Sequence, residues 1–219
     1  MKEKIKYYLK PLLISALAVI GQLTIYKLSV AFQNNPTLIG NNIDNKIPFI
    51  IYFIIPYTIW YILLFLMPIV IYKKDKKDFT RYIIAYLSIS LFADIIYIIY
   101  PTTIIRPEIT NTPNILYSIT KIIFTIDTPI RNCFPSLHCA VSTLWILFML
   151  EKNKYNTKTK IITILINILI ILSTLFIKQH VLIDAISGIL LAIIIYYIIK
   201  QNKTITKKLH NKLSKIFKY

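Results

Sequence analysis

His180 and Asp184 are four residues apart, a spacing that suits a nucleophile and the group that orients it. On a helix they share one face and lie about 6 Å apart along the axis. A carboxylate in this position accepts the Nδ1 proton of the imidazole, fixes its tautomer and leaves Nε2 free to attack. An unpaired charge in an apolar stretch is costly, so Asp184 needs a partner, and His180 is the nearest candidate. The alternative is a buried polar pair that only fixes the helices in place.

The residues around His138 have the composition of an anion site. Pro135-Ser136 is a favourable helix start, because Pro is tolerated in the first turn and Ser caps free backbone N–H groups. Those N–H groups and the positive end of the helix dipole suit a phosphate. Arg106 and Arg131 are two of three arginines in the chain, and guanidinium groups bind phosphate oxygens well. The alternatives are a histidine that caps an ordinary helix and arginines that are solvated in loops.

The elements that would position these residues are membrane-spanning helices. Apolar residues make up 56% of the 219 residues and charged residues only 16%, against about 25% in soluble domains. A helix over 161–199 would be roughly 58 Å long, nearly twice the hydrocarbon thickness, so the chain must turn at 178–180. We therefore predict an all-α integral membrane protein, a bundle of six transmembrane helices forming one domain over 1–219. The spans are about 11–32, 49–71, 82–100, 137–150, 161–177 and 181–199.

The distribution of positive charge predicts the orientation of the bundle. Most of the 26 lysines and arginines lie in the first ten residues, in 72–81, in 151–160 and after Lys200. The positive-inside rule then places both termini in the cytoplasm of a multi-pass cell-membrane protein. The third span runs outward and the fourth and sixth run inward. Arg106, His138 and His180 are therefore expected together on the extracytoplasmic side.

Two segments outside the spans have helical or basic patterns. Residues 114–126 predict a short helix at the outer interface, in the third extramembrane loop, because isoleucines and leucines recur there at helical spacing. The net charge of +17 is concentrated in the cytoplasmic tail 200–219, which we interpret as an anchor to anionic membrane lipids. No base-reading motif accompanies the tail, so a nucleic-acid partner is not expected. The three histidines lack metal-ligand spacing, so neither a metal nor another cofactor is expected.

Three motifs resemble those of the type 2 phosphatidic acid phosphatase (PAP2) superfamily, over a core of about 80–200. They are Arg106-Pro107, Pro135-Ser136-Leu137-His138, and His180 with Asp184. The resemblance implies a six-span core with a metal-independent site at one membrane face. It makes His180 the nucleophile that forms a phosphohistidine, Asp184 its orienting partner, and His138 the proton donor to the leaving oxygen. Ser136 and Arg106 would bind the phosphoryl oxygens.

The sequence departs from this family pattern at two cations. Ile99 stands where the first motif begins with Lys, and Thr174 where the third motif has Arg. Lys178 and Arg131 are nearby candidates to supply the missing charge.

We expect a phosphatase that hydrolyses a lipid phosphomonoester or diphosphate at the outer leaflet. The alternatives are an inositol phosphorylceramide synthase-like phosphotransferase using the same site and a non-catalytic membrane protein with a decayed site. The sequence leaves the identity of the lipid and the oligomeric state open.

Overall fold

The computed structural model describes residues 2–33, 35–109, 113–151 and 154–217, and it is predominantly helical. Two short strands, β1 (Thr37–Leu38) and β2 (Thr102–Thr103), pair in parallel between the loops at one end of the bundle. A single 3-10 turn covers Ile51–Phe53. The helices are α1 (Lys2–Ala31), α2 (Asn42–Lys46), α3 (Ile54–Lys74), α4 (Lys76–Ile99), α5 (Ile115–Ile126), α6 (Leu137–Met149), α7 (Thr157–Phe176), α8 (Leu182–Gln201) and α9 (Lys203–Phe217).

Within this described part, five helical segments are long and apolar enough to cross a bilayer, which makes the chain a multi-pass membrane protein. The predicted all-helical membrane fold is confirmed at this level, but the six-span count is not. The fourth predicted span, 137–150, forms the 13-residue helix α6, only about 20 Å long. The five segments are Tyr7–Ala31, Ile51–Lys74, Lys76–Ile99, Thr157–Phe176 and Leu182–Gln201.

Helix α6 is short because it lies inside the bundle and does not need to match the thickness of the lipid. It packs against α7, α8 and α4, and Leu144, Trp145 and Met149 are completely buried. At its start the backbone N–H of Ser136 donates to the carbonyl of Asp184, 3.0 Å away. Beyond its end the carboxylate of Glu151 accepts a 2.8 Å hydrogen bond from the Tyr196 hydroxyl. Helix α6 therefore runs parallel to α8 through the core.

The basic segments meet at one end of the bundle, which we call the basic end. Asp78 and Arg81 in the first turns of α4 form ion pairs with Lys154 and Glu151 beyond the end of α6. Lys200, in the last turn of α8, donates to the Tyr196 hydroxyl at 3.3 Å. One end of the bundle thus holds described residues from 72–81, from 151–160 and from the start of the tail. This agrees with the prediction that these segments lie on the same side of the membrane. That this side is cytoplasmic stays a prediction.

The predicted short helix 114–126 is present as α5, capped by the Asn114 side chain. Its face with Leu116, Ile119 and Ile123 packs on the cluster around Tyr57 at the end of the bundle opposite the basic end. The other face exposes Ile115, Ile122 and Ile126. One packed face and one exposed apolar face fit a helix at a membrane interface. This location stays a prediction.

Candidate active site

The start of α6 is fixed directly against the first turns of α8. Ser136 is completely buried, and its Oγ accepts a 3.3 Å hydrogen bond from the backbone N–H of Cys139. Gly188 permits the close approach of the two helices, because a Cβ there would lie 2.3 Å from the Ser136 carbonyl oxygen. The hydroxyl of Ser136 is thus used as a helix cap, and its predicted contact with phosphoryl oxygens stays a prediction. The cap places His138, two residues later, beside the start of α8.

A tight turn between α7 and α8 positions His180. The carbonyl of Thr174 accepts hydrogen bonds from the backbone N–H groups of Gln179 and His180, at 2.9 and 3.0 Å. Nδ1 of His180 lies 3.2 Å from Oδ2 of Asp184, which is completely buried and also accepts from the backbone N–H of Val181. A proton on Nδ1 therefore points at the carboxylate, and Nε2 carries the free lone pair.

The two histidine rings face each other across a small gap. Their centroids are 6.0 Å apart with an angle of 55° between the ring planes. His138 is held by aromatic contacts, with its centroid 4.5 Å from the stacked ring of Tyr57 and 4.0 Å from Trp60. Nε2 of His138 is buried without a hydrogen-bond partner in the described part of the chain. The arrangement leaves one imidazole nitrogen available for attack and a second imidazole for proton transfer.

Arg106 reaches the same gap from the loop after β2. Its guanidinium lies over the ring of Phe124 at 5.1 Å, and its Nη2 is 3.7 Å from Oδ2 of Asp127. The side chain is almost fully buried, and Nε and Nη1 have no partner among the residues that the structure describes. Burial raises the pKa of the Asp127 carboxyl, and the positive charge of Arg106 offsets part of that increase. A buried guanidinium with two unused nitrogens is suited to bind an oxyanion.

The two candidate replacement cations, Arg131 and Lys178, occupy different places. Arg131 lines the gap with the two histidines, and its Nη1 donates to the carbonyl of Ile130 at 3.1 Å. Nζ of Lys178 instead donates to the carbonyl of Asp44 at 2.7 Å, and the side chain lines a neighbouring cavity. His180 lines both cavities, whereas Lys178 lines only the neighbouring one. A role for Lys178 in phosphate binding stays a prediction.

Neither residue at the positions of the two missing cations can supply a positive charge. Ile99 ends α4 with 77% of its side chain exposed. Thr174 is completely buried, and its hydroxyl donates to the carbonyl of Ile171 at 2.7 Å. A different residue, Gln179, is only 2% exposed and lines the gap, and no described residue is a partner for its Nε2. Sequence reasoning missed it, although an amide next to the candidate nucleophile in a tight turn was a usable signal.

Asp127 was also missed, because its pairing with Arg106 depends on how two loops fold. The only signal was an acidic residue directly after the predicted helix 114–126.

These residues enclose a cavity of about 120 Å³, lined by both histidines, Arg106, Arg131, Gln179 and a set of aromatic rings. Its volume suits a phosphoryl group rather than a whole lipid, since pockets for larger ligands typically exceed about 300 Å³. Several buried polar nitrogens around it have no partner within the described ranges of the chain, which is costly unless a ligand pairs with them. They belong to Arg106, Gln179 and His138. Among the described residues, no three His, Cys, Asp or Glu side chains are grouped as metal ligands.

A model of the family described as the PAP2 superfamily matches residues 79–206, more than half of the chain. The chain belongs to the PAP2 superfamily. No curated protein and no solved structure matches it. The resemblance inferred from the three motifs is thereby confirmed, and the matched range contains all of them.

PAP2 superfamily members are typically phosphatases or related phosphotransferases. In this PAP2 protein, the motif residues Arg106, His138, His180 and Asp184 meet at one end of the bundle, opposite the basic end. The two cations expected from the motif pattern are absent from the sequence, and an amide and a carboxylate line the cavity together with the two arginines.

Proposed function

We propose that the chain is a membrane phosphatase that hydrolyses a lipid phosphomonoester or diphosphate through a phosphohistidine on His180. The observation that carries the proposal is the pair of imidazoles 6.0 Å apart, one oriented by Asp184 and both lining a cavity with unpaired guanidinium nitrogens. A phosphoryl group needs a positioned nucleophile, charge compensation and a proton donor, and the cavity has a residue for each.

In the first half-reaction, Nε2 of His180 attacks phosphorus and forms a P–N bond while the P–O bond to the lipid breaks. The bound phosphate's negative charge favours the protonated form of His138, and the leaving oxygen takes its proton from that imidazolium, whose ring faces the gap. Arg106 and Gln179 donate hydrogen bonds to the phosphoryl oxygens. Asp184 stabilises the positive charge that develops on the ring of His180.

In the second half-reaction, His138 removes a proton from a water molecule whose oxygen attacks phosphorus. The P–N bond breaks, His180 recovers its lone pair and inorganic phosphate leaves. The same imidazole thus acts first as acid and then as base.

Asp127 reduces the net positive charge of the site, and Gln179 leaves it unchanged. The Asp127 carboxylate neutralises Arg106 before substrate arrives, and an incoming phosphate competes with it for the guanidinium. Gln179 supplies a donor without supplying a charge.

This charge balance favours a second candidate, a lipid phosphotransferase. A phosphodiester carries one negative charge, whereas a phosphomonoester carries up to two, so a site with two missing cations and an added carboxylate suits a diester better. In that reaction the bond changes at phosphorus are the same, but an alcohol replaces water in the second half.

The positive-charge distribution supports an extracytoplasmic location for this site, in the outer leaflet of the cell membrane. The basic segments lie at the other end of the bundle, which is the end expected in the cytoplasm.

The test uses full-length protein purified in detergent and incubated with a panel of lipid phosphomonoesters, diphosphates and phosphodiesters. Release of inorganic phosphate without an acceptor supports the phosphatase, and headgroup transfer only with an added alcohol supports the transferase. A phosphoenzyme labelled on histidine should form in the wild type and be absent in His180→Ala. Equal turnover by His180→Ala and the wild type would contradict the mechanism, and no turnover of any substrate would support a decayed, non-catalytic site.

A further inference from the structure

A second cavity lies at the basic end, between the start of α4, the end of α8 and helix α9. Its volume is about 380 Å³, within the range of pockets that hold small ligands. The lining is strongly basic and draws on three separate helices. Its cations are Lys77 and Arg81 from α4, Lys200 from α8, and Lys203 and Lys207 from α9.

Within the described part of the chain, much of this positive charge is not compensated. Arg81 is neutralised by Asp78 and Glu151 in the ion-pair network. Lys77, Lys203 and Lys207 form no ion pair with any described residue. Like charges gathered around a cavity repel one another, and an anion between them converts this repulsion into attraction.

Helix α9 is fixed in the position that completes this cavity. Nδ1 of His210 lies 3.0 Å from Oγ1 of Thr80 in α4. Leu209 and Leu213 are half-buried, while the lysines of α9 are exposed. The predicted basic tail is therefore, in its described residues, an amphipathic helix folded against α4 and not a simple extension beyond the last span. Such a helix suits a location in the plane of a membrane surface.

The cavity lies at the level where phospholipid headgroups are expected. Lys77 is the second residue of the candidate span Lys76–Ile99, and Lys200 is the last residue but one of Leu182–Gln201. Residues at the ends of spanning helices lie at the boundary between hydrocarbon and headgroups. An anion bound there is most directly supplied by the membrane itself.

We propose that this cavity binds the headgroup of an anionic glycerophospholipid from the leaflet at the basic end. The lysine ammonium groups pair with the phosphate, Thr206 and Asn211 are available for hydrogen bonds to the polar headgroup, and the acyl chains lie along the bundle. The site is separate from the histidine cavity and does not depend on the activity proposed for it.

The test compares two pairs of lysines on one helix. Lys203→Gln with Lys207→Gln removes cations that line the cavity, and Lys208→Gln with Lys212→Gln removes the same charge from lysines of α9 that do not line it. Binding of dioctanoyl phosphatidylglycerol to the full-length protein in detergent is measured by native mass spectrometry, with dioctanoyl phosphatidylcholine as the zwitterionic reference. We expect binding of the anionic lipid to weaken by at least about tenfold in the cavity variant and by less than about twofold in the control.

Three further arms complete the design. Arg106→Gln, at the opposite end, should retain the lipid, which excludes the histidine cavity as its place of binding. Glycerol phosphate should not displace the lipid at equal concentration, and equal displacement would overturn the assignment to a lipid headgroup. An equal loss in both lysine variants would show diffuse attraction to α9 and would overturn the proposal, as would no loss in either. Unchanged elution and thermal unfolding show that the variants are folded.

Discussion

The two ends of the bundle both contain buried charged and polar groups, but they use them in opposite ways. At the basic end the network of Asp78, Arg81, Glu151 and Lys154 pairs every carboxylate with a cation, Glu151 also accepts from Tyr196, and Nε of Arg81 is left without a partner among the described residues. At the histidine end, Arg106, Gln179 and His138 together keep four nitrogens without a partner among the described residues. Buried polar groups are normally satisfied, so a largely satisfied network stabilises a fold and a cluster of unsatisfied nitrogens around one cavity indicates a ligand.

Removal of the proposed proton donor, His138, tests the catalytic role of the histidine end most directly. In His138→Ala, turnover of a lipid phosphate should fall by about 10²–10⁴-fold, because the alkoxide must then leave without a proton. Phosphorylation of His180 by p-nitrophenyl phosphate should slow much less, since nitrophenolate is a good leaving group, whereas hydrolysis of the phosphohistidine lacks its base with either substrate. The measurement is the single-turnover rate of leaving-group release from both substrates, and equal losses on the two would assign His138 a structural role.

The network at the basic end should affect stability and not catalysis. Glu151→Gln leaves Arg81 and Lys154 with less compensation and should lower the free energy of unfolding by about 3–5 kcal/mol, with turnover of the folded protein within about twofold. Thermal unfolding and phosphate release measure the two effects separately. A large loss of turnover with an unchanged free energy of unfolding would contradict the assignment of stability to the basic end and of catalysis to the histidine end.

We also expect Glu151 to make the stability of the fold depend on pH. Burial raises the pKa of Glu151, but hydrogen bonds from Lys154 and Tyr196 and the charge of Arg81 outweigh it, so the net shift is downward. A carboxyl with a lowered folded-state pKa stabilises the fold above its unfolded-state pKa and loses that contribution as pH falls through the folded-state value. Glu151→Gln should remove this part of the acid sensitivity.

The unpaired amide of Gln179 gives a smaller and more specific effect. Gln179→Ala removes one hydrogen bond to a charged ligand and should reduce kcat/KM by about 10–100-fold. Gln201→Ala is the matched control, because Gln201 is exposed at the end of α8. Steady-state kinetics of both variants test this, and equal values for them would remove Gln179 from the phosphate site.

The smallest effect concerns Asp127, the carboxylate that pairs with Arg106. Burial raises its pKa, and ionisation of the carboxyl as pH rises through that pKa strengthens competition with the substrate for the guanidinium. KM for a phosphomonoester should therefore increase with pH in the wild type, and Asp127→Asn should lower KM by a few fold and flatten this dependence. A pH series of KM values for both proteins is the measurement. A higher KM in Asp127→Asn would show that the carboxylate positions Arg106 and does not compete for it.

The turn between α7 and α8 shows why sequence predicted the site only in part. The spacing of His180 and Asp184 predicted their contact, but not how it forms: His180 precedes the extended N-cap Val181 and reaches Asp184 from the turn, not from a shared helix face. Lys178 and Gln179 are neighbours in the chain, yet one donates to Asp44 in another loop and the other lines the histidine cavity. Lys178 has a positive φ of 55°, and such a backbone conformation sends adjacent side chains in directions that residue types do not reveal.

Helix α6 shows the corresponding limit for the fold. Its hydrophobicity predicted a helix over 137–150, and the structure has one over Leu137–Met149. Hydropathy does not distinguish a side chain that contacts lipid from one that contacts protein, so it could not show that this short helix is enclosed by α4, α7 and α8.

By itself the sequence determined the apolar helices, the separation of the basic segments from the histidines and the local pairing of His180 with Asp184, because these follow from hydrophobic length, charge placement and a short separation along the chain. Only the tertiary structure decided which polar groups remain unpaired: the capture of Lys178 by Asp44, the pairing of Arg106 with Asp127 and the orientation of Gln179 into the cavity. Those contacts join residues from separate loops, and their energies depend on distances that the order of residues along the chain does not contain.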